Sequence, residues 1–214
     1  DQARVVAHLL DALGIDCLHT IVGASYGGMV ALQFASAFPD RLVRAQVFCA
    51  AHQSSPLATG WRHVQREILA LGLRHDDSAN AVRIARSLAM CTYRADREFS
   101  RRFAPGAGGI SSVTDYLDHC GTQFSSRFNA HAYLCLSRSI DAHCVDPANI
   151  RVPLDLVGFS SDQIVPPAQL FDLRSKLGGE SSLKIVDSQY GHDAFLVETG
   201  AVSKLIRRHL EVLS

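Results

Sequence analysis

The chain of 214 residues has no apolar run long enough to span a bilayer. It also lacks the basic start, short apolar stretch and small-residue cleavage site of a secretory leader, so a cytoplasmic protein with no membrane partner is expected. Neither charge sign is in excess: 21 Lys and Arg are scattered among 21 Asp and Glu, which removes the electrostatic case for a nucleic-acid partner. The six cysteines, Cys17, Cys49, Cys91, Cys120, Cys135 and Cys144, include no Cys-x-x-Cys pair. A chain of this length needs no covalent stapling, so they read as reduced and mostly buried. None of the ten histidines has His-Glu-x-x-His or comparable spacing, so no metal is expected. Internal repeats and low-complexity tracts are absent. There is no initiating Met either, and the first residues read as a mid-protein helix, from which N-terminal strands are expected to be missing.

What is present suits one α/β domain with a sizeable core: 47% of residues are hydrophobic and 20% charged. The informative stretch is Thr20-Ile21-Val22-Gly23-Ala24-Ser25-Tyr26-Gly27-Gly28-Met29, an apolar strand that breaks at Gly-x-Ser-x-Gly and enters a helix. This is the pattern of a nucleophile elbow, in which the turn is so tight that Gly23, Ala24, Gly27 and Gly28 leave no bulk around the serine. A serine there stands at a helix N-terminus, where unpaired N–H groups favour an oxyanion. The backbone N–H of Tyr26 is the expected first oxyanion donor, and the second is expected upstream of Asp1.

Around the elbow, Asp1 and Gly14 bracket a helix with the apolar stripe Val5, Val6, Leu9, Leu10, Leu13. Strands are expected at Cys17–Val22, Val43–Cys49, Val152–Phe159 and Leu183–Asp187, with a helix from Pro167 to about Leu177. From Ser54 to Ala142 the pattern is helical, with Trp61, Val64, Ile68 and Leu71 on one face and Ile84, Ala85 and Leu88 on another. Pro105-Gly106-Ala107-Gly108-Gly109 reads as a loop within it, since no Walker lysine accompanies the glycines. The division expected is therefore 1–53, a core half carrying the nucleophile; 54–145, an inserted helical lid; and 146–214, a core half carrying acid and histidine. The fold expected is an α/β-hydrolase with a mostly parallel sheet.

Ser25, Asp162 and His192 each follow an expected strand, in the chain order of an α/β-hydrolase triad. A serine hydroxyl needs a base to take its proton, and an imidazole needs a carboxylate to fix its tautomer. Asp187 is the rival for the acid; Asp162 is favoured because it lies just past the strand preceding the histidine strand.

Four blocks carry a family resemblance: Gly23-Ala24-Ser25-Tyr26-Gly27-Gly28-Met29-Val30-Ala31-Leu32, Phe124-Ser125-Ser126-Arg127-Phe128-Asn129-Ala130-His131-Ala132-Tyr133-Leu134, Ser161-Asp162-Gln163-Ile164-Val165-Pro166, and Gly191-His192-Asp193-Ala194-Phe195-Leu196-Val197-Glu198. By these the chain resembles the homoserine O-acyltransferases, α/β-hydrolase-fold enzymes of methionine biosynthesis. Tyr26 departs from the family's more frequent Met or Leu. The resemblance implies a ping-pong reaction in which Ser25 takes an acetyl or succinyl group from acyl-CoA, a co-substrate rather than a cofactor, and passes it to the hydroxyl of L-homoserine. It further implies that Arg127 pairs with the homoserine carboxylate, that Asp193 meets its ammonium, and that Tyr133 lines the same pocket. The donor stays open between acetyl and succinyl, a homodimer is one assembly open to the chain, and a serine esterase of small esters is the alternative activity.

Overall fold

The computed structural model describes residues 1–104 and 109–211, without the side chains of 109–111. Of the loop expected at 105–109, residues 105–108 lie outside the described residues. The chain begins with α1 (Gln2–Leu13), closed by Gly14 in the left-handed conformation that glycine adopts without strain. Then follow β1 (Leu18–Ala24), α2 (Tyr26–Ala37) and β2 (Leu42–Phe48). Pro39, with no N–H to donate, ends the α2 run and opens a short 3-10 turn. Five helices come next: α3 (Pro56–Arg74), α4 (Ser78–Tyr93), α5 (Asp96–Arg102), α6 (Gly109–Ser125) and α7 (Ala130–Asp141). The chain then returns to β3 (Leu154–Phe159), α8 (Pro167–Lys176), β4 (Ser181–Val186), α9 (Ala194–Val197) and α10 (Thr199–Glu211).

The four strands pair in the order β1-β2-β3-β4 and all run parallel. Parallel neighbours need crossover connections, and these place helices on both faces of the sheet. Ala45, Val47, Leu154 and Leu156 form one core with Leu32 and Phe34 of α2 and Leu173 of α8. On the other face Phe48, Val157 and Phe159 meet Ala194, Phe195, Leu205 and Ile206 of α9 and α10.

A polar belt crosses that second face near the start of the strands. Buried His209 of α10 contacts Thr20 through Nε2 (2.6 Å) and Asp155 through Nδ1 (2.7 Å). Asp155 also accepts from Arg44 (3.1 Å) and Ser182 (2.5 Å), so each of the four strands contributes one side chain. These hydrogen bonds, His209 first, hold the Asp155 carboxyl down at about 2.

The helical segment leaves and re-enters the core at one place. Gln53 and Cys144 form an antiparallel bridge, and Val145 N–H donates to His52 O at 2.9 Å. Above it, Asp141 of α7 accepts from Arg62 (2.6 Å) and Arg66 (2.5 Å) of α3.

Three periodicity readings shift. The α1 residues Val5, Leu9 and Leu13 are 59%, 56% and 62% exposed, while Ala3, Ala7 and Leu10 are buried. The small face is turned inward because α1 packs closely on α2, which leaves the bulkier stripe outside. On α3, Val64 and Leu71 are exposed and Ala58, Gln65 and Leu69 face in; on α4, Ile84 is exposed beside buried Val82 and Ala85. The cysteines are all free thiols, but only Cys49 is buried, whereas Cys17, Cys91, Cys135 and Cys144 are exposed.

Candidate active site

Strand β1 delivers Ser25 in a backbone conformation of φ 51° and ψ −118°, which costs an L-residue about 1–3 kcal/mol and persists only because its surroundings fix it. Ser25 N–H donates to Phe48 O at 2.9 Å, tying the turn to the neighbouring strand. A β-carbon at Gly23 would stand 2.3 Å from Gly27 O, and one at Gly28 would stand 2.7 Å from Ala50 Cβ. Those two glycines are therefore required by packing. Gly27 is not: a β-carbon there meets nothing within 4 Å among the described residues, so the crowding expected from sequence applies to two of the three glycines.

Ser25 Oγ lies 2.7 Å from His192 Nε2, and His192 Nδ1 lies 2.7 Å from Asp162 Oδ2. An ionised carboxylate can only accept, so Nδ1 carries the proton and Nε2 is left free to accept from the serine hydroxyl. The other oxygen of Asp162 accepts backbone N–H groups of Ile164 (2.9 Å) and Val165 (3.0 Å). Asp162 and His192 are both buried, which fixes the orientation of the pair. Asp187 is elsewhere, accepting from Ser160 Oγ at 2.7 Å, so geometry selects Asp162 over its rival.

His192 sits in a 3-10 turn whose first residue, Gly191, has φ 64°. A β-carbon at Gly191 would be 2.5 Å from Tyr93 O, so glycine is needed both for the backbone angle and for the approach of α4. Tyr93 and Phe195 flank the imidazole, each with its ring centre 6.0 Å away. Tyr26 is the first residue of α2, and its N–H has no partner within the helix, as an oxyanion donor requires.

A cavity opens on Ser25 and His192 and is walled by Met29 of α2, Trp61, Arg62 and Gln65 of α3, Tyr93 of α4 and Ile140 of α7. Tyr133 reaches its edge indirectly, donating to Gln65 Oε1 at 3.0 Å, and burial pushes its hydroxyl well above the usual range. Asp193, next to His192, forms an ion pair with Arg94 (3.2 Å); burial raises its carboxyl and Arg94 opposes the rise. Arg127 is exposed in the turn after α6 and is not among the residues that wall the cavity.

Sequence reasoning did not single out Gln65, Arg94 or Cys49. Gln65 and Arg94 carry no spacing signal and acquire their partners only when helices pack. Cys49 had one, its place at the end of a strand on the same sheet edge as Ser25.

The family model described as alpha/beta hydrolase fold matches residues 1–199. The homoserine O-succinyltransferase of Xanthomonas campestris pv. campestris is 42% identical over 211 residues, covering 96% of this chain and 57% of that protein. The homoserine O-acetyltransferase of Pelobacter propionicus is 31% identical, covering 99% of this chain and 64% of that protein. The chain thus spans about three fifths of the curated relatives it matches. Among solved structures, a homoserine O-acetyltransferase from Staphylococcus aureus superposes with TM-score 0.83 at 24% identity, over 99% of this chain and 64% of that one. Esterase E22 superposes with TM-score 0.87 at 19% identity, over 98% of this chain and 65% of that one. The resemblance carried by the four sequence blocks therefore extends along nearly the whole chain, and with its strand-end Ser25, Asp162 and His192 the chain belongs to the α/β-hydrolase fold family.

Proposed function

We propose that this chain carries the acyl-transfer centre of a homoserine O-acyltransferase acting in methionine biosynthesis. The observation that carries the reading is the Ser25–His192–Asp162 hydrogen-bonded chain at the base of a helix-walled cavity, in a sequence 42% identical to a protein named homoserine O-succinyltransferase.

Ser25 Oγ attacks the thioester carbonyl of an acyl-CoA while His192 Nε2 takes its proton. The tetrahedral oxyanion is met by Tyr26 N–H at the α2 N-terminus. Collapse breaks the carbon–sulfur bond, and the thiolate of CoA leaves with the proton returned by His192. Homoserine then enters, His192 removes the proton of its side-chain hydroxyl, and the acyl group passes to that oxygen, restoring free Ser25. The helical walls keep water from competing as the acceptor. Asp193, one residue from the base, receives the homoserine ammonium; Arg127, to which the resemblance gives the carboxylate, stands exposed away from the cavity wall and takes no part in these steps.

A double-displacement reaction gives parallel double-reciprocal lines when acyl-CoA and homoserine are varied together. Asp193→Asn is expected to raise the KM for homoserine by roughly 10- to 100-fold, the loss of one charge-assisted hydrogen bond, with the acylation half-reaction little changed. Intersecting lines would exclude the acyl-enzyme. Hydrolysis outpacing transfer at saturating homoserine would favour a small-ester hydrolase built on the same three residues.

A further inference from the structure

Strands β1, β3 and β4 each lead to one member of the hydrogen-bonded chain, and Cys49 directly follows the end of β2 at Phe48. This residue is fully buried, with φ 50°, and its N–H donates to Val157 O at 2.9 Å. The preceding carbonyl, that of Phe48, receives Ser25 N–H at 2.9 Å. Cys49 is thus pinned between the nucleophile turn and β3. Its Sγ, a carboxylate oxygen of Asp162 and a ring nitrogen of His192 all lie within 4.8 Å of one another.

A carboxylate offers about four acceptor positions. Three on Asp162 are taken, by Ile164 N–H, Val165 N–H and His192 Nδ1–H. The buried Cys49 thiol is a neighbour of this carboxylate with a proton to give. Burial, and then the charge of Asp162, push the Cys49 thiol well above its ordinary range, so it stays protonated.

We propose that Cys49 is a positioning residue, its S–H donating to the Asp162 carboxylate and drawing off part of the negative charge that His192 would otherwise meet alone. With the thiol in place, the charge of Asp162 is shared between the Cys49 S–H and the His192 Nδ1–H that it fixes. Without it, the carboxylate pulls harder on the Nδ1 proton, and His192 stays protonated, unable to act as base, to higher pH. Among the described residues, the other charged or titratable groups around His192 are Asp193 on its own turn, Arg94 paired with Asp193, Tyr93 and Arg86 of α4, whose guanidinium stands 5.3 Å from the Tyr93 ring, and Arg62 of α3, which lines the same cavity and pairs with Asp141. Substitution at Cys49 leaves all of them in place. The inference rests on His192 and Asp162 being the base and acid of the proposed centre, and not on Ser25 acylation or on which acceptor resolves the acyl group.

The test compares the chain with Cys49→Ala and Cys49→Ser by two readouts. Burst acylation of Ser25 by p-nitrophenyl acetate is followed from pH 5 to 9, and the His192 Nδ1 proton resonance is recorded by NMR. In Cys49→Ala the acid limb of the acylation profile is expected to move upward, lowering the rate below the limb by roughly three- to tenfold with the plateau retained. The Nδ1 proton is expected to move further downfield. Cys49→Ser, which keeps a donor, restores most of both. An unmoved limb and resonance in Cys49→Ala would overturn the inference, as would a serine variant that behaves like alanine. Should the wild-type chain fail to acylate while the resonance still moves in Cys49→Ala alone, the positioning role stands and the proposed function falls.

Discussion

At the scale of single residues, the chemistry depends on a few side chains held in conformations that ordinary residues avoid. Ser25 and Cys49 both have positive φ, and both lie where the C-terminal edge of the sheet turns toward the cavity. The elbow glycines separate two requirements that look alike in sequence. Gly28→Ala drives a β-carbon to within 2.7 Å of Ala50 Cβ and 3.1 Å of Val47 Cγ1, so a loss of about 1–3 kcal/mol is expected in urea unfolding. Gly27→Ala meets open space in a helix, and the same measurement is expected to show no loss, or a gain of up to about 1 kcal/mol. Equal losses would mean that the turn is constrained by something other than these contacts. Ser25, Asp162 and His192 were legible in the sequence because each sits beside a turn signal at a strand end. Arg94 was not, since its role arises from a contact across elements far apart in the chain, and Cys49 offered only its place at a strand end.

At the scale of elements, the strands were read to within about two residues, because short apolar runs bounded by Gly, Pro and Asp leave little freedom in placing them. The facing of the helices was less legible. In α1 the bulkier Val5, Leu9 and Leu13 stay outside while Ala3 and Ala7 turn in beside Leu10, and in α3 Ala58, Gln65 and Leu69 face inward in place of Val64 and Leu71, choices set by the approach of neighbouring helices rather than by hydrophobicity alone. The histidine of α10 likewise gave no sequence signal, although it joins that helix to the strands through Asp155 and Thr20. His209→Ala leaves Thr20 and Asp155 without their partner and is expected to cost roughly 2–4 kcal/mol, read as a lower urea midpoint. Asp155 also gives this docking a pH dependence. Its carboxyl lies at about 2 against an ordinary 3.8, so its contribution is complete above pH 4 and is lost as the pH falls from 4 toward 2. Thermal melts of wild type and Asp155→Asn are expected to converge over that interval and to differ by a constant amount between pH 5 and 7. A difference that persists unchanged at pH 2 would remove Asp155 as the source.

At the scale of the whole molecule, a parallel sheet supplies one edge at which distant parts of the chain meet, and α3, α4 and α7, three of the five helices inserted between β2 and β3, wall the cavity over that edge. Their common point of departure and return, at Gln53 and Cys144, lets the helical segment be built without disturbing the sheet register. The alternation of helix and strand made this architecture readable from sequence. The contents of the cavity were readable only in part, because Trp61, Arg62 and Gln65 come from α3, whose inward face the periodicity placed on Val64 and Leu71. The central claim is that Ser25 carries an acyl group between two substrates, and intact-mass spectrometry tests it most directly. The chain is mixed with acetyl-CoA or succinyl-CoA, quenched, and then chased with L-homoserine. A mass gain of one acyl group is expected that is absent in Ser25→Ala, persists in buffer, and disappears on adding homoserine as the O-acyl product forms. A gain that survives substitution of Ser25, or one that water removes as fast as homoserine does, would contradict it.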